Sequence, residues 1–352
     1  MRRRLLGAVA IAAGLGTLAL GGCTSSGGSS SSSTATSGST AGGANLQANY
    51  ENVISTVMPS VVEITSANSL GSGIILDAQG DIVTNNHVVA DATEYTVTLS
   101  TSSKTYDAKL VNRFAQGDLA VIKMTSPPSD LKVATFADSS KAVVGQIVLA
   151  MGNPIGLSSS ATDGIISATG RTVTEPKSAT TPAATLTDMI QTSASINSGN
   201  SGGALVDLSG AVVGIPTLTA VDQTLGGAHP GIGFAISSDT AKRIADQIVK
   251  NGKVTDSGLA SLGITGRSLV DANSKPVGVG VVEVTSGGAA ANAGITAGDV
   301  ITSLNKVAVT SMDALSGELA TLKPGQQVPV GITKTDGSTA TVNATLGTLQ
   351  IS

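Results

Sequence analysis

Short runs of β-branched and apolar residues, parted by Gly, Asp and Asn, recur along the middle of this 352-residue chain: 61–65, 73–76, 81–84, 95–99, 119–124, 146–151, 165–168, 189–192, 204–206, 211–215 and 232–236. Many short strands at regular spacing restrict the fold to an all-β barrel or sandwich. Aromatic residues make up 2% of the chain and Trp is absent, so the cores must be built from Val, Ile, Leu and Ala. The 43 glycines fit a fold with many tight turns.

The period then changes. Ala241, Ile244, Ala245, Ile248 and Val249 follow the spacing of one helical face, and Asn251-Gly252 reads as its stop. A boundary near 252–258 follows. Beyond it the strand theme returns on a smaller scale at 277–285, 300–304, 328–333 and 339–346, with helical stretches at 289–293 and 312–322, the latter carrying Met312, Leu315, Leu319 and Leu322.

The beginning of the chain reads differently. Arg2, Arg3 and Arg4 precede an apolar run to Leu20, too short and poorly flanked for a comfortable transmembrane helix, which reads as an export signal. Leu20-Gly21-Gly22-Cys23 resembles a bacterial lipobox, with Cys23 as the lipidated first residue of the mature chain. A twin-arginine reading of the arginines gets no help from their flanks. Cys23 is the single cysteine, which excludes an intrachain disulfide and a thiolate metal cluster. Residues 24–44 are nearly all Ser, Gly, Thr and Ala, a flexible tether with a reach of about 25 Å.

The chemistry concentrates in three places. Ile196-Asn197-Ser198-Gly199-Asn200-Ser201-Gly202-Gly203 sets Ser201 in a glycine-bounded turn. A nucleophilic serine needs a base within hydrogen-bond reach. Of two histidines, His87 follows a strand in Thr84-Asn85-Asn86-His87-Val88-Val89, and Asp118 heads the apolar run Leu119-Ala120-Val121-Ile122. The other histidine, His229, is the competing base and reads better as a surface or pocket-rim residue. Each site alone is an ordinary turn, strand end or cap; the order His, Asp, Ser joins them into a chymotrypsin-type triad. The flanking glycines allow the amides of Gly199 and Ser201 to converge on an oxyanion.

These blocks, with Gly231-Ile232-Gly233-Phe234-Ala235-Ile236, resemble the HtrA/Deg family of bacterial serine proteases over about 47–350. The resemblance implies a mainly β chain: a chymotrypsin-like double β-barrel protease domain of two six-stranded barrels, followed by one PDZ domain. On that plan, 1–22 is a lipoprotein signal, 23–46 the tether, 47–254 the protease domain and 255–350 the PDZ domain. Ile232 and Gly233 would help form an apolar pocket for aliphatic or small side chains. Leu262-Gly263-Ile264 would offer amides to the C-terminal carboxylate of a peptide added as a strand. Asn200 replaces the aspartate with which digestive relatives of the fold bind a new N-terminus, so the resemblance implies instead a loop switch at the oxyanion hole, with 151–160, 174–187 and 221–231 as its loops. Ser198 and Ala204 stand where the family commonly has Pro.

The implied function is an envelope-anchored, ATP-independent serine endopeptidase that cleaves misfolded or exported proteins; no P-loop motif is present. A homotrimer is implied too, with Tyr50 as either an interface or a surface residue. With 20 basic and 24 acidic residues, nothing directs the chain to nucleic acid. Neither a cofactor nor a metal site is expected. Two other readings remain: a chaperone that binds without cleaving, and a solute-binding lipoprotein, which leaves the three catalytic blocks unexplained.

Overall fold

A computed structural model describes residues 38–67, 69–89, 92–154, 160–175, 184–222 and 227–350. Cys23 and the signal lie outside them. Asn45–Ser352 forms one compact unit, and the description below concerns it and the helix that leads into it. Among the described residues no helix is long and apolar enough to cross a membrane.

Helix α1 (Gly38–Val57) takes in part of the stretch expected as tether. Val53 and Val57, four residues apart on one face, are buried beyond the tether stretch, whose residues 43–46 are exposed, so the helix is held on the core through its C-terminal half. Tyr50, on the same helix, is half-buried against the core rather than presented as a bare surface residue.

The first barrel comprises β1 (Val61–Thr65), β2 (Leu70–Ile75), β3 (Asp81–Thr84), the one-turn α2 (Asn86–Val89), β4 (Glu94–Leu99), β5 (Thr105–Phe114) and β6 (Leu119–Met124). It closes in the order β1-β2-β3-β6-β5-β4. The second comprises β7 (Ile147–Gly152), β8 (Ser160–Glu175), β9 (Ala184–Thr192), β10 (Ala204–Asp207), β11 (Val212–Asp222) and β12 (Gly227–Ser237), closing as β10-β11-β12-β9-β8-β7. The expected pair of six-stranded barrels is therefore present.

The near-continuous apolar runs have a simple cause. Successive strand side chains face opposite ways, and here both faces are covered. Val62 and Ile64 fill the first barrel, while Val61 joins Ile74, Val83, Leu149 and Met151 in a core shared by the two barrels. Val148, Ala150 and Leu205 fill the second.

Helix α3 (Ser238–Asn251) buries Ala241, Ile244, Ala245 and Ile248 on the shared core, as its periodicity predicts, whereas Val249, counted on the same face, is exposed at the edge of that stripe. The Ser237 hydroxyl caps its start by accepting from the Thr240 amide, and Gly252, at φ 68°, ends it in the left-handed conformation that glycine adopts cheaply. The following segment is tied back to this helix: Gln247 Oε1 accepts from the amides of Thr255 and Asp256, and Arg243 donates to the carbonyls of Asp256 and Ser257.

The last part contains β13 (Ala260–Ser261), β14 (Ile264–Val270), β15 (Pro276–Val284), α4 (Ala289–Asn292), β16 (Val300–Leu304), β17 (Val307–Ala308), α5 (Met312–Ala320), β18 (Gln327–Thr333), β19 (Thr339–Thr345) and β20 (Gly347–Thr348). A sheet in the order β14-β15-β16-β18-β19 leaves β14 at its edge. Beside that edge, the three expected carboxylate-loop residues Leu262, Gly263 and Ile264 line a groove of about 240 Å³ with Met312, Leu315 and Leu319 of α5. Gln116 and Thr185, from the two barrels, also line it. One expected donor is already used, since the Gly263 amide donates to Ser261 Oγ at 3.0 Å.

Candidate active site

The three chemical residues converge where the barrels meet. His87 sits on α2 directly after β3, and Asp118 sits where a 3₁₀ turn (Ala115–Gly117) hands over to β6. Asp118 has φ 49°, a left-handed conformation that Asp tolerates better than most residues. Two bonds clamp its carbonyl, one from the Asn85 side-chain amide at 3.0 Å and one from the Asn86 main-chain amide at 3.1 Å. Its carboxylate then meets His87 twice. Oδ1 accepts the His87 main-chain amide at 2.9 Å, and Oδ2 lies 2.8 Å from Nδ1.

Thr217, a residue that the sequence does not single out, connects this pair with the serine. Its hydroxyl donates to Asp118 Oδ2, and its carbonyl lies 3.5 Å from Ser201 Oγ. Its sole advance signal is its place on β11, next in line after Pro216. The Ser201 hydroxyl also donates to the Asn197 carbonyl at 3.1 Å. Gly202, at φ 80°, lies so close to the histidine loop that a Cβ would come within 2.4 Å of Thr84 Oγ1. Only glycine fits there.

The oxyanion donors are arranged differently from the sequence expectation. The amides of Gly199 and Ser201 both donate to Asn197: Gly199 to Oδ1 at 2.9 Å and Ser201 to the main-chain carbonyl at 3.1 Å. The cause is local turn chemistry. Asn197 side chains of this kind mimic a backbone turn by accepting from amides just downstream, and here Oδ1 also takes the Asn200 amide. Asn200 closes the loop from the other side, donating from Nδ2 to the Ser195 carbonyl and accepting the Asn197 amide at Oδ1. The buried Asn200 carboxamide is thus engaged within the loop, in keeping with its inability to make the N-terminal ion pair.

Of the expected pocket residues, Ile232 is half-buried and packs on the shared core. Gly233 pairs with Thr192 on β9, and a Cβ there would come within 2.4 Å of the Ile196 side chain. Both residues therefore stand on β12, with Gly233 against Ile196 at the entry to the serine loop. The side chain of His229 lies outside the described residues, as do parts of all three expected switch loops.

Comparisons with known proteins agree with this architecture. The trypsin-like peptidase domain family matches residues 71–215, and the PDZ domain family matches residues 246–346. The periplasmic serine endoprotease DegP of Escherichia coli K12 is 40% identical over 285 residues, covering 79% of this chain and 57% of the relative. The serine protease PepD of Mycobacterium tuberculosis H37Rv is 38% identical over 314 residues, covering 84% of this chain and 66% of the relative. The chain thus spans a little over half the length of DegP. Among solved structures, the HtrA-type protease AlgW with a decapeptide aligns at a TM-score of 0.57 and 30% identity, covering 86% of this chain and 99% of that one. A serine endoprotease from Yersinia pestis aligns at 0.56 and 34% identity, covering 86% and 98%. With the barrels, the PDZ-type sheet and these likenesses together, the chain belongs to the HtrA/DegP family, as a trypsin-like peptidase domain followed by one PDZ domain.

Proposed function

We propose that this protein is an ATP-independent serine endopeptidase that cleaves misfolded or exported proteins on the outer side of the bacterial cytoplasmic membrane, held there by a lipid on Cys23. The observation that carries the reading is the two-point contact of Asp118 with His87, joined to Ser201 through Thr217. Ser201 Oγ attacks the scissile carbonyl while His87 takes its proton and passes it to the leaving amine. Asp118 fixes the imidazole tautomer and stabilises the imidazolium. A water activated by His87 then releases the acyl group from Ser201. Ile232 and Gly233 border the pocket for a small or aliphatic side chain.

The amides of Gly199 and Ser201 must exchange Asn197 for the oxyanion before this sequence can run. That requirement supports a resting enzyme that is switched on. The switch ligand is a peptide with a free C-terminus, added along β14 in the groove at Leu262, Gly263 and Ile264. Support comes from relatives named as periplasmic proteases and from AlgW, whose solved structure is with a decapeptide. Family resemblance extends the proposal to a homotrimer.

The test is cleavage of an unfolded casein-type substrate by the full chain and by Ser201→Ala, with and without an apolar C-terminal peptide. Cleavage that depends on Ser201 and rises with the peptide is expected. Substrate binding without any cleavage would favour a second reading, a non-cleaving chaperone, for which the engaged amides of Gly199 and Ser201 speak. Incorporation of radiolabelled palmitate that disappears in Cys23→Ala is the expected sign of the anchor, and equal labelling of both proteins would remove it.

A further inference from the structure

We propose that Ser72, on the first barrel, is a positioning residue for the nucleophile loop of the second, holding the carbonyl side of Gly199 and Ser201 while their amide side changes partners. The proposal rests on the proteolytic reading above.

Ser72 is fully buried on β2, still paired with Glu63 of β1 but beyond the point where the strand leaves β3, which it pairs only at Ile74 and Ile75. The main-chain edge freed at Ser72 is used by the serine loop instead. The Ser72 amide donates to the Ser201 carbonyl at 2.9 Å, and the Ser72 carbonyl accepts the Thr84 hydroxyl at 2.6 Å. Its side chain makes two more bonds. Oγ donates to the Gly199 carbonyl at 2.7 Å and accepts the Asn153 amide at 2.9 Å. One residue therefore ties together the end of the strand that leads to His87, the loop that carries Ser201, and the start of the loop after β7.

The residue type matters. A hydroxyl both donates and accepts, and both capacities are used here. Alanine has neither, and threonine would add a methyl group at a site with no free surface. The relation to Asn197 gives the arrangement its purpose. Gly199 and Ser201 donate their amides to Asn197 and direct their carbonyls to Ser72, so the turn is held from two sides. For the amides to turn to an oxyanion, the contacts to Asn197 must break. Those to Ser72 need not, and keeping them leaves Ser201 in register with His87.

Removal of the Ser72 hydroxyl frees the Gly199 carbonyl and the Asn153 amide at once. A displacement of about 1 Å at a reacting group costs on the order of 100-fold in rate. The expected effect of Ser72→Ala is a fall in kcat of about 10- to 100-fold, with KM within about 2-fold. The acid limb of the pH profile should stay in place, because the contact between His87 and Asp118 is untouched.

The test uses the full chain on a peptide anilide with an aliphatic residue before the scissile bond, with every rate divided by the number of sites titrated by a fluorophosphonate. That division separates positioning from folding, since a residue that matters only for folding lowers the number of sites and leaves the rate per site unchanged. A rate per site within about 2-fold of the parent, or a change confined to KM, overturns the proposal. Should Ser72→Ala fail to fold, Ser72→Cys keeps an atom at the Oγ position with only a weak donor. It is expected to give an intermediate fall, and parental turnover by it overturns the proposal as well. A parent without Ser201-dependent cleavage removes the proteolytic reading and this proposal together, whereas normal cleavage by the Ser72 variants removes this proposal alone.

Discussion

Asp118 meets His87 through both of its carboxylate oxygens, one on the imidazole Nδ1 at 2.8 Å and one on the main-chain amide at 2.9 Å. The ring is thereby fixed relative to its own backbone. Asp118→Asn keeps the size of the group but turns an acceptor at Nδ1 into a donor, which selects the wrong tautomer. The expected result is a loss of about 10⁴-fold in kcat with the fold retained, read from peptide hydrolysis and circular dichroism.

Asn197 holds the serine loop in its present arrangement through two acceptors. Asn197→Ala removes one of them, the Oδ1 that takes the Gly199 amide. Basal turnover should rise by about 5-fold, the equivalent of about 1 kcal/mol for one hydrogen bond, and stimulation by C-terminal peptide should shrink correspondingly. Lower basal turnover with stimulation intact would mean that Asn197 supports the active loop rather than the resting one.

Ser316 is an exposed residue of α5 that lines the groove beside β14. Ser316→Glu is compatible with the helix and introduces a negative charge beside the proposed carboxylate site. Affinity for an apolar C-terminal peptide, measured by fluorescence anisotropy, should fall by about 5- to 10-fold at low salt and recover in part at 1 M salt, where the Debye length is about 3 Å.

How much of this was legible in the sequence depended on whether a local pattern reports a residue's partners. Helix α3 was legible because Ala241, Ile244 and Ile248 repeat at helical spacing and Gly252 ends them. The grouping of His87, Asp118 and Ser201 was legible only jointly, from their order and spacing, because each block alone reads as an ordinary turn, strand end or cap. β5 was only half legible, since Tyr106, Ala108 and Leu110 alternate with Asp107 and Lys109 but the pattern breaks at Val111, where the register with β6 shifts. β14 was hidden, since its residues are exposed or half-buried and carry no apolar alternation. The roles of Asn197, Thr217 and Ser72 depend on partners distant in sequence or on how one turn closes. Ser72 meets Gly199 across 127 residues, a relation that no local spacing encodes.

Asp81 and Lys123 face each other across β3 and β6, with Oδ2 and Nζ 2.6 Å apart. Burial of Asp81 raises its pKa above the ordinary 3.8, Lys123 pulls it back only in part, and Asp77 adds to the rise. The folded chain then holds the proton at a pH where the unfolded chain has lost it. The stability due to this group is therefore fully present below about 3.8 and is lost as pH rises through the folded value. Relative to Asp81→Asn, the parent should gain thermal stability as the pH is lowered from 7 toward 4. Unfolding midpoints of both forms in the Ser201→Ala background check this, and a constant difference across that range would contradict it.

The central claim is that Ser201 is a nucleophile activated by His87. The most direct measurement is reaction of the full chain with a fluorophosphonate, in the presence of an apolar C-terminal peptide, followed by peptide mass mapping of the adduct. The account predicts one adduct, on Ser201, abolished in Ser201→Ala and slowed by at least about 10³-fold in His87→Ala. An unlabelled Ser201, or labelling that proceeds equally well without His87, would contradict it.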